Sequence, residues 1–188
     1  MKTDITQFDP TNVAKIDAAM WRSYYNHQFY KLFWQLLTLI KAQLGLSWLV
    51  TIRLAYYSAW AAADYRIRKH TGVNHSRVLA NLTKFYELIS RHSIKSFDYK
   101  RAAELELAWW DVHRSSTINN KALEQSLANN MAAIYNVAPE KLADYAHYRA
   151  EAMILPRHEG DGQPVATDWD KVESLLSKAW ASLYSAIQ

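Results

Sequence analysis

Apolar residues recur at helical spacing along nearly all of this 188-residue chain, and no stretch alternates with the two-residue period of a strand. Asp9 and Pro10 mark a helix start, and from about Thr11 no breaker intervenes before Gly45. The pattern predicts one long N-terminal helix over residues 11–44, about 50 Å at 1.5 Å per residue. Its second half, F-Y-K-L-F-W-Q-L-L-T-L-I-K-A-Q-L, is apolar on most sides and calls for several covering neighbours. Ser47 is placed to cap a second helix reaching about Lys69, with Trp48, Ile52, Ala55, Ala59 and Ala62 as its inward stripe.

Shorter amphipathic segments follow. Thr71-Gly72 ends the second helix, and Asn74 can cap a third over 75–92, with the seam Val78, Leu82, Phe85, Ile89. Asp98 caps a fourth over 99–115 that turns Leu105, Trp109 and Val112 inward. A fifth over 119–136 presents Leu123, Leu127, Met131 and Ile134. Pro139 opens a sixth that lasts to about Leu155. H-E-G-D-G-Q-P then reads as a flexible loop, and Thr167 with Asp170 forms a capping-box variant opening the last helix. The expectation is an all-α, single-domain bundle of six or seven helices over 1–188, with the long N-terminal helix and the second helix at its centre.

Composition narrows this further. Four Gly and four Pro are too few for the turns of a sandwich, barrel or propeller. The absence of Cys excludes disulfides, thiolate metal sites and cysteine nucleophiles, and it suits a reducing compartment. The opening M-K-T-D-I-T-Q-F-D-P has no apolar core of the kind a signal peptide carries. Residues 44–62 are mostly apolar, but Tyr, Trp and Ser depress their hydropathy and Arg53 sits near the centre. A buried core helix is the better reading, and no membrane partner is expected.

Charge is unevenly spread. Lys and Arg number 6, 9 and 7 over residues 1–65, 66–101 and 102–188, against 4, 2 and 12 Asp and Glu. The blocks stand at +2, +7 and −5, a basic middle and an acidic C-terminal part. Intramolecular pairing is the simplest use of that polarity, and basic–acidic contact between two copies makes a homodimer the expected partner state. Nucleic acid is not expected, because the cations gather around turns rather than on one continuous face.

Phosphate loops, nucleophile elbows, H-E-x-x-H and paired E-x-x-H motifs are all missing. What remains is a set of polar residues on aromatic helices. Arg53 and Arg149 sit in apolar stretches and need carboxylate partners, for which Asp17, Glu104 and Glu106 are available. Arg53 with Asp17 is the first expected pair. Asp17, Tyr24, Arg53, Trp110 and Arg149 would also serve as an aromatic-walled pocket for a small molecule carrying a carboxylate. A second possibility joins Glu106 and His113 of one helix with His147 and Glu151 of another as a site for iron, manganese or zinc. A lone axial haem histidine, His27 or His113, is disfavoured against a satisfied core residue. No cofactor is expected, and a metal ion is the alternative.

W-R-S-Y-Y (21–25), E-L-E-L-A-W-W-D-V-H-R (104–114) and Y-R-A-E-A-M (148–153) resemble an uncharacterised bacterial family of all-helical proteins. That resemblance spans most of the chain. It implies a helical fold and a bacterial, cytoplasmic setting, and it supplies no activity. The functional expectation is a soluble helical protein acting by binding or interaction, with a metal-dependent oxidoreductase as the alternative.

Overall fold

The computed structural model describes residues 2–71, 75–115, 119–156 and 167–188. Among them are eight α-helices: α1 (Pro10–Tyr25), α2 (Phe29–Leu44), α3 (Trp48–Thr71), α4 (His75–His92), α5 (Tyr99–His113), α6 (Asn120–Tyr135), α7 (Ala143–Ile154) and α8 (Trp169–Ile187). A 3-10 turn, Pro139–Leu142, leads into α7. Each helix packs on its neighbours in sequence, and α8 returns to pack on α1, so the chain closes into a ring of consecutive helices. Thr3 ties the N-terminal segment to the end of α4, donating its N–H to His92 O at 2.8 Å and accepting from Ile94 N at 3.0 Å.

The helix starts follow the sequence signals closely. Asp9, Asp98 and Asn119 accept from the first free N–H groups of α1, α5 and α6, and Pro10 stands at the first turn of α1. At α8 the cap is Asp168, which accepts from Lys171 N, in place of the expected Thr167. The expected Asn74 cap and the H-E-G-D-G-Q-P loop lie outside the described residues.

Two expectations are corrected. The single helix over 11–44 is two helices, α1 and α2, folded against one another. The break falls at Asn26-His27-Gln28, where His27 takes a φ of 56°. Histidine is one of the few side chains that tolerate this left-handed region, so a turn forms without Gly or Pro. The second correction concerns the centre. Neither α2 nor α3 is covered on several sides, because a ring leaves every helix an outer face. On α2 the cover also ends before its first turns: Phe29, Tyr30, Phe33 and Trp34 continue the face of the buried Leu37, Ile40 and Leu44 and are exposed, with Tyr30 at 92%.

On α3 the inward stripe is Thr51, Leu54, Ala55, Ala61 and Tyr65, while Trp48, Ile52 and Ala62 of the expected stripe are exposed. Smaller residues on the inner side permit close packing on α4 and α2, and the bulky rings turn out. The other seams hold better. Val78, Leu82 and Ile89 of α4 and Leu123, Leu127 and Ile134 of α6 are buried, whereas Leu105, Trp109 and Val112 of α5 are only partly so.

Gly45 ends α2 at φ 64°, donating its N–H to Lys41 O at 3.0 Å. A Cβ there would meet Thr3 Cγ2 at 3.0 Å. Gly45→Ala is therefore expected to cost about 1–2 kcal/mol in urea unfolding, from the left-handed backbone and the crowded methyl together. An unchanged midpoint would contradict this account of the α2–α3 turn.

Candidate functional site

Polar side chains from five helices meet inside the ring. Asp17 of α1 is fully buried, and its Oδ2 accepts from Arg149 Nη1 of α7 and from Trp180 Nε1 of α8, the latter at 2.8 Å. The Arg149 guanidinium lies over the rings of Trp21 and Trp180, at 4.9 and 5.8 Å from their centroids, and its side chain is 17% exposed. Burial works against that cation, but Asp17, Tyr145 and Glu106 outweigh it and hold its pKa above the usual arginine value. Asp17 Oδ1 is buried and accepts no hydrogen bond from the described residues.

Glu106 of α5 forms the second half of this centre. Its Oε2 accepts from Tyr86 of α4 at 2.9 Å and from Trp109 Nε1 at 2.8 Å, and its Oε1 from Trp110 Nε1 at 2.9 Å. The indoles reach it because Trp109 and Trp110 stand three and four residues further along the same helix. Burial raises the Glu106 pKa, against the opposing effect of these three donors and of Arg149. Burial also pushes Tyr145 up to about 12 and Tyr86 well above its ordinary value. The centre thus holds one persistent cation, a carboxylate paired with it, and a carboxyl whose charge is disfavoured.

The sequence candidates divide accordingly. Asp17, Trp110 and Arg149 belong to this buried network. Arg53 does not: it is exposed on the outer side of α3, and Asp17 is paired with Arg149 instead. The rotated inward stripe of α3 is the physical reason. Glu104 is likewise exposed, bonded to Arg101 at 3.4 Å, and Tyr24 is exposed against the ring of Tyr25.

The four proposed metal ligands are not brought together. Glu106 is inside, whereas His147 and Glu151 lie on the surface, 3.9 Å apart, with His147 Nδ1 at 2.9 Å from Glu124 of α6. His113 closes α5 beside the Trp109 ring. Among the described residues, no group of three or more His, Asp or Glu is placed to hold a metal ion.

Three features escaped the sequence reading. Trp21 and Trp180 clamp the guanidinium, although only Trp21 shares an evident face with Asp17. A cleft of about 430 Å³ between α1, the start of α2 and α8 is lined by Lys15, Arg22, Lys31, Trp169 and Glu173 among others, and does not reach Asp17. The exposed aromatic residues of α2 and α3 are the third. Nine of the eleven strongly exposed large apolar side chains among the described residues lie on these two helices.

The chain matches no family model, no curated protein and no solved structure. What holds of the family resemblance is the all-helical fold.

Two tests bear on the centre. Arg149→Met leaves a buried carboxylate unpaired and is expected to cost about 3–5 kcal/mol in urea unfolding, with Asp17→Leu restoring much of it in the double variant. Glu106 gives a pH signature. A carboxyl whose pKa rises on folding contributes fully below its free value of 4.5, and that contribution is lost as pH rises through the folded value. The stability difference between the natural protein and Glu106→Gln should therefore fall as pH is raised from 4.5. A flat difference would refute the raised pKa.

Proposed function

We propose that the protein works by binding, as a helical interaction protein that engages its partner through the exposed apolar side chains of α2 and α3. The observation that carries this reading is the exposure of nine large apolar side chains on two adjoining helices. At about half of the 150–250 Å² that an aromatic side chain buries in a core, the five exposed residues on the outer side of α3 alone offer on the order of 500 Å². The largest apolar patch of an ordinary monomer is about 300–600 Å² and is often functional, and this stripe is of that size. The buried centre supports the same reading in another way. Both Glu106 oxygens and Asp17 Oδ2 are already occupied by protein donors, which suits a clamp between helices better than a reacting site.

A photo-crosslinking residue placed in living cells at Trp34 or Ile52 is expected to give a discrete adduct, and one at Lys178 of α8 none. The adduct's mass reports its source, a second copy of the chain being one outcome. Equal labelling from all three positions would sink the proposal.

A further inference from the structure

We infer that the cleft between α1, the start of α2 and α8 binds a small molecule joining a flat ring to a phosphate monoester, the chemistry of a nucleoside monophosphate. The site is separate from the exposed apolar side chains of α2 and α3, and its failure would leave the interaction reading standing.

Charge is the first argument. Lys15 and Arg22 of α1 and Lys31 of α2 line the cleft, with Glu173 of α8 as the one carboxylate among its described lining residues. Lys15 and Arg22 lie two turns apart on one face of α1, and the turn at His27 folds Lys31 back toward them. Other cations of this protein are matched. Arg77 lies 3.6 Å from Asp64, Arg91 2.7 Å from Glu87 and Arg101 3.4 Å from Glu104. Among the described residues Lys15, Arg22 and Lys31 form no such pair. Like charges gathered in a concavity repel one another and concentrate anions there. Three cations against one carboxylate leave two positive charges unmatched, and a phosphate monoester carries about −1.5 to −2 at neutral pH.

Unused hydrogen-bonding groups are the second argument. Ser23 is only 2% exposed and lines the cleft, and its hydroxyl makes no hydrogen bond to a described residue. A buried hydroxyl ordinarily has a partner, so this one is available to a ligand. Helix α2 starts beside it with no side-chain cap at Gln28 and no acid in its first turn. The first N–H groups of a helix favour an anion, and the Arg22 fork can take two phosphate oxygens at once.

Size and shape define the rest of the ligand. At about 430 Å³ the cleft falls within the range of small-molecule sites, about 300–1,000 Å³, and exceeds what a bare phosphate fills. Ala18 and Ala19 leave a floor free of long side chains, and half-buried Trp169 supplies an indole wall. Arg22 lies 5.5 Å from the centroid of that indole, which holds the anion-binding group and the ring wall side by side. The amides of Asn26 and Gln28 offer donors and acceptors to the edge of a ring. Confinement of the three cations to one cleft, rather than along a track, favours a free small molecule over a nucleic-acid strand.

Equilibrium dialysis of the full chain with adenosine monophosphate as probe tests this. Saturable binding is expected, half-complete below about 1 mM at an ionic strength of about 0.15 M. Adenosine, which lacks the phosphate, and inorganic phosphate, which lacks the ring, should each bind at least about ten-fold more weakly. Lys15→Gln with Lys31→Gln should weaken the probe at least about ten-fold, and Lys178→Gln, outside the cleft, should not. Should the double variant fold poorly by circular dichroism, Glu173→Gln provides the opposite sign, since removing the one opposing charge should tighten binding about two-fold or more. No saturation up to about 10 mM would overturn the inference. So would equal binding of adenosine or of inorganic phosphate, or affinities that ignore both cleft variants. A 5′-phosphorylated oligonucleotide binding at least about ten-fold tighter than the probe would give the cleft to nucleic acid and overturn it as well.

Discussion

The Asp17–Arg149 pair is the constraint around which the ring is arranged. It joins α1 to α7, helices that are not neighbours in the ring, and Trp180 of α8 donates to the same carboxylate oxygen. A buried guanidinium is tolerable only with its charge matched and its faces covered. Asp17 does the first, and Trp21 and Trp180 do the second. Arg149 on α7 has its partners on α1 and α8, so relative movement of α1, α7 or α8 exposes a charge to an apolar interior. An apolar centre would tolerate small shifts in packing. A paired charge specifies one arrangement, and the indoles narrow it further.

Glu106 acts differently although it is of the same residue type. It takes three hydrogen bonds from neutral donors, none of them a cation, and burial raises its pKa. Arg149 influences it electrostatically without a direct bond. Two carboxyls in one interior thus have separate roles: one balances a charge, and the other organises two indoles and Tyr86 around it. Protein donors occupy both Glu106 oxygens and Asp17 Oδ2, and Asp17 Oδ1 is left without one among the described residues.

Much of the local structure was legible in the residues. Asp9-Pro10 and Asp98 announced helix starts because a cap is a short-range interaction between a side chain and the next few N–H groups. The need of Arg149 for a carboxylate, and the suitability of Asp17, also followed from burial and charge alone. The turn at His27 was not legible, since its left-handed backbone is imposed by α1 folding back on α2 and leaves no Gly or Pro in the sequence. Arg53 misled for a related reason. Helix α3 has apolar residues on two sides, and only its neighbours decide which side turns inward. The stripe with the bulkiest residues, normally the safer choice for a core, proved to be the outer one. For the metal candidates, spacing within each helix was sound, but no local pattern reports how two distant helices are rotated against each other.

Closing the ring has a kinetic side. Contacts between successive helices join residues close in sequence, and such contacts form at small entropic cost. The central pair is the opposite case, with 132 residues between Asp17 and Arg149 and 163 between Asp17 and Trp180. During synthesis α1 leaves the ribosome long before either partner exists, and a nascent chain grows at about 5–20 residues per second. For that interval Asp17 has neither its cation nor its indole donor and is favoured in water, so α1 cannot take its final place. The successive helix pairs can form as they emerge, while the centre waits for α7 and α8. The Asp17 centre is therefore the part of the fold that closes last, once α7 and α8 have both been made.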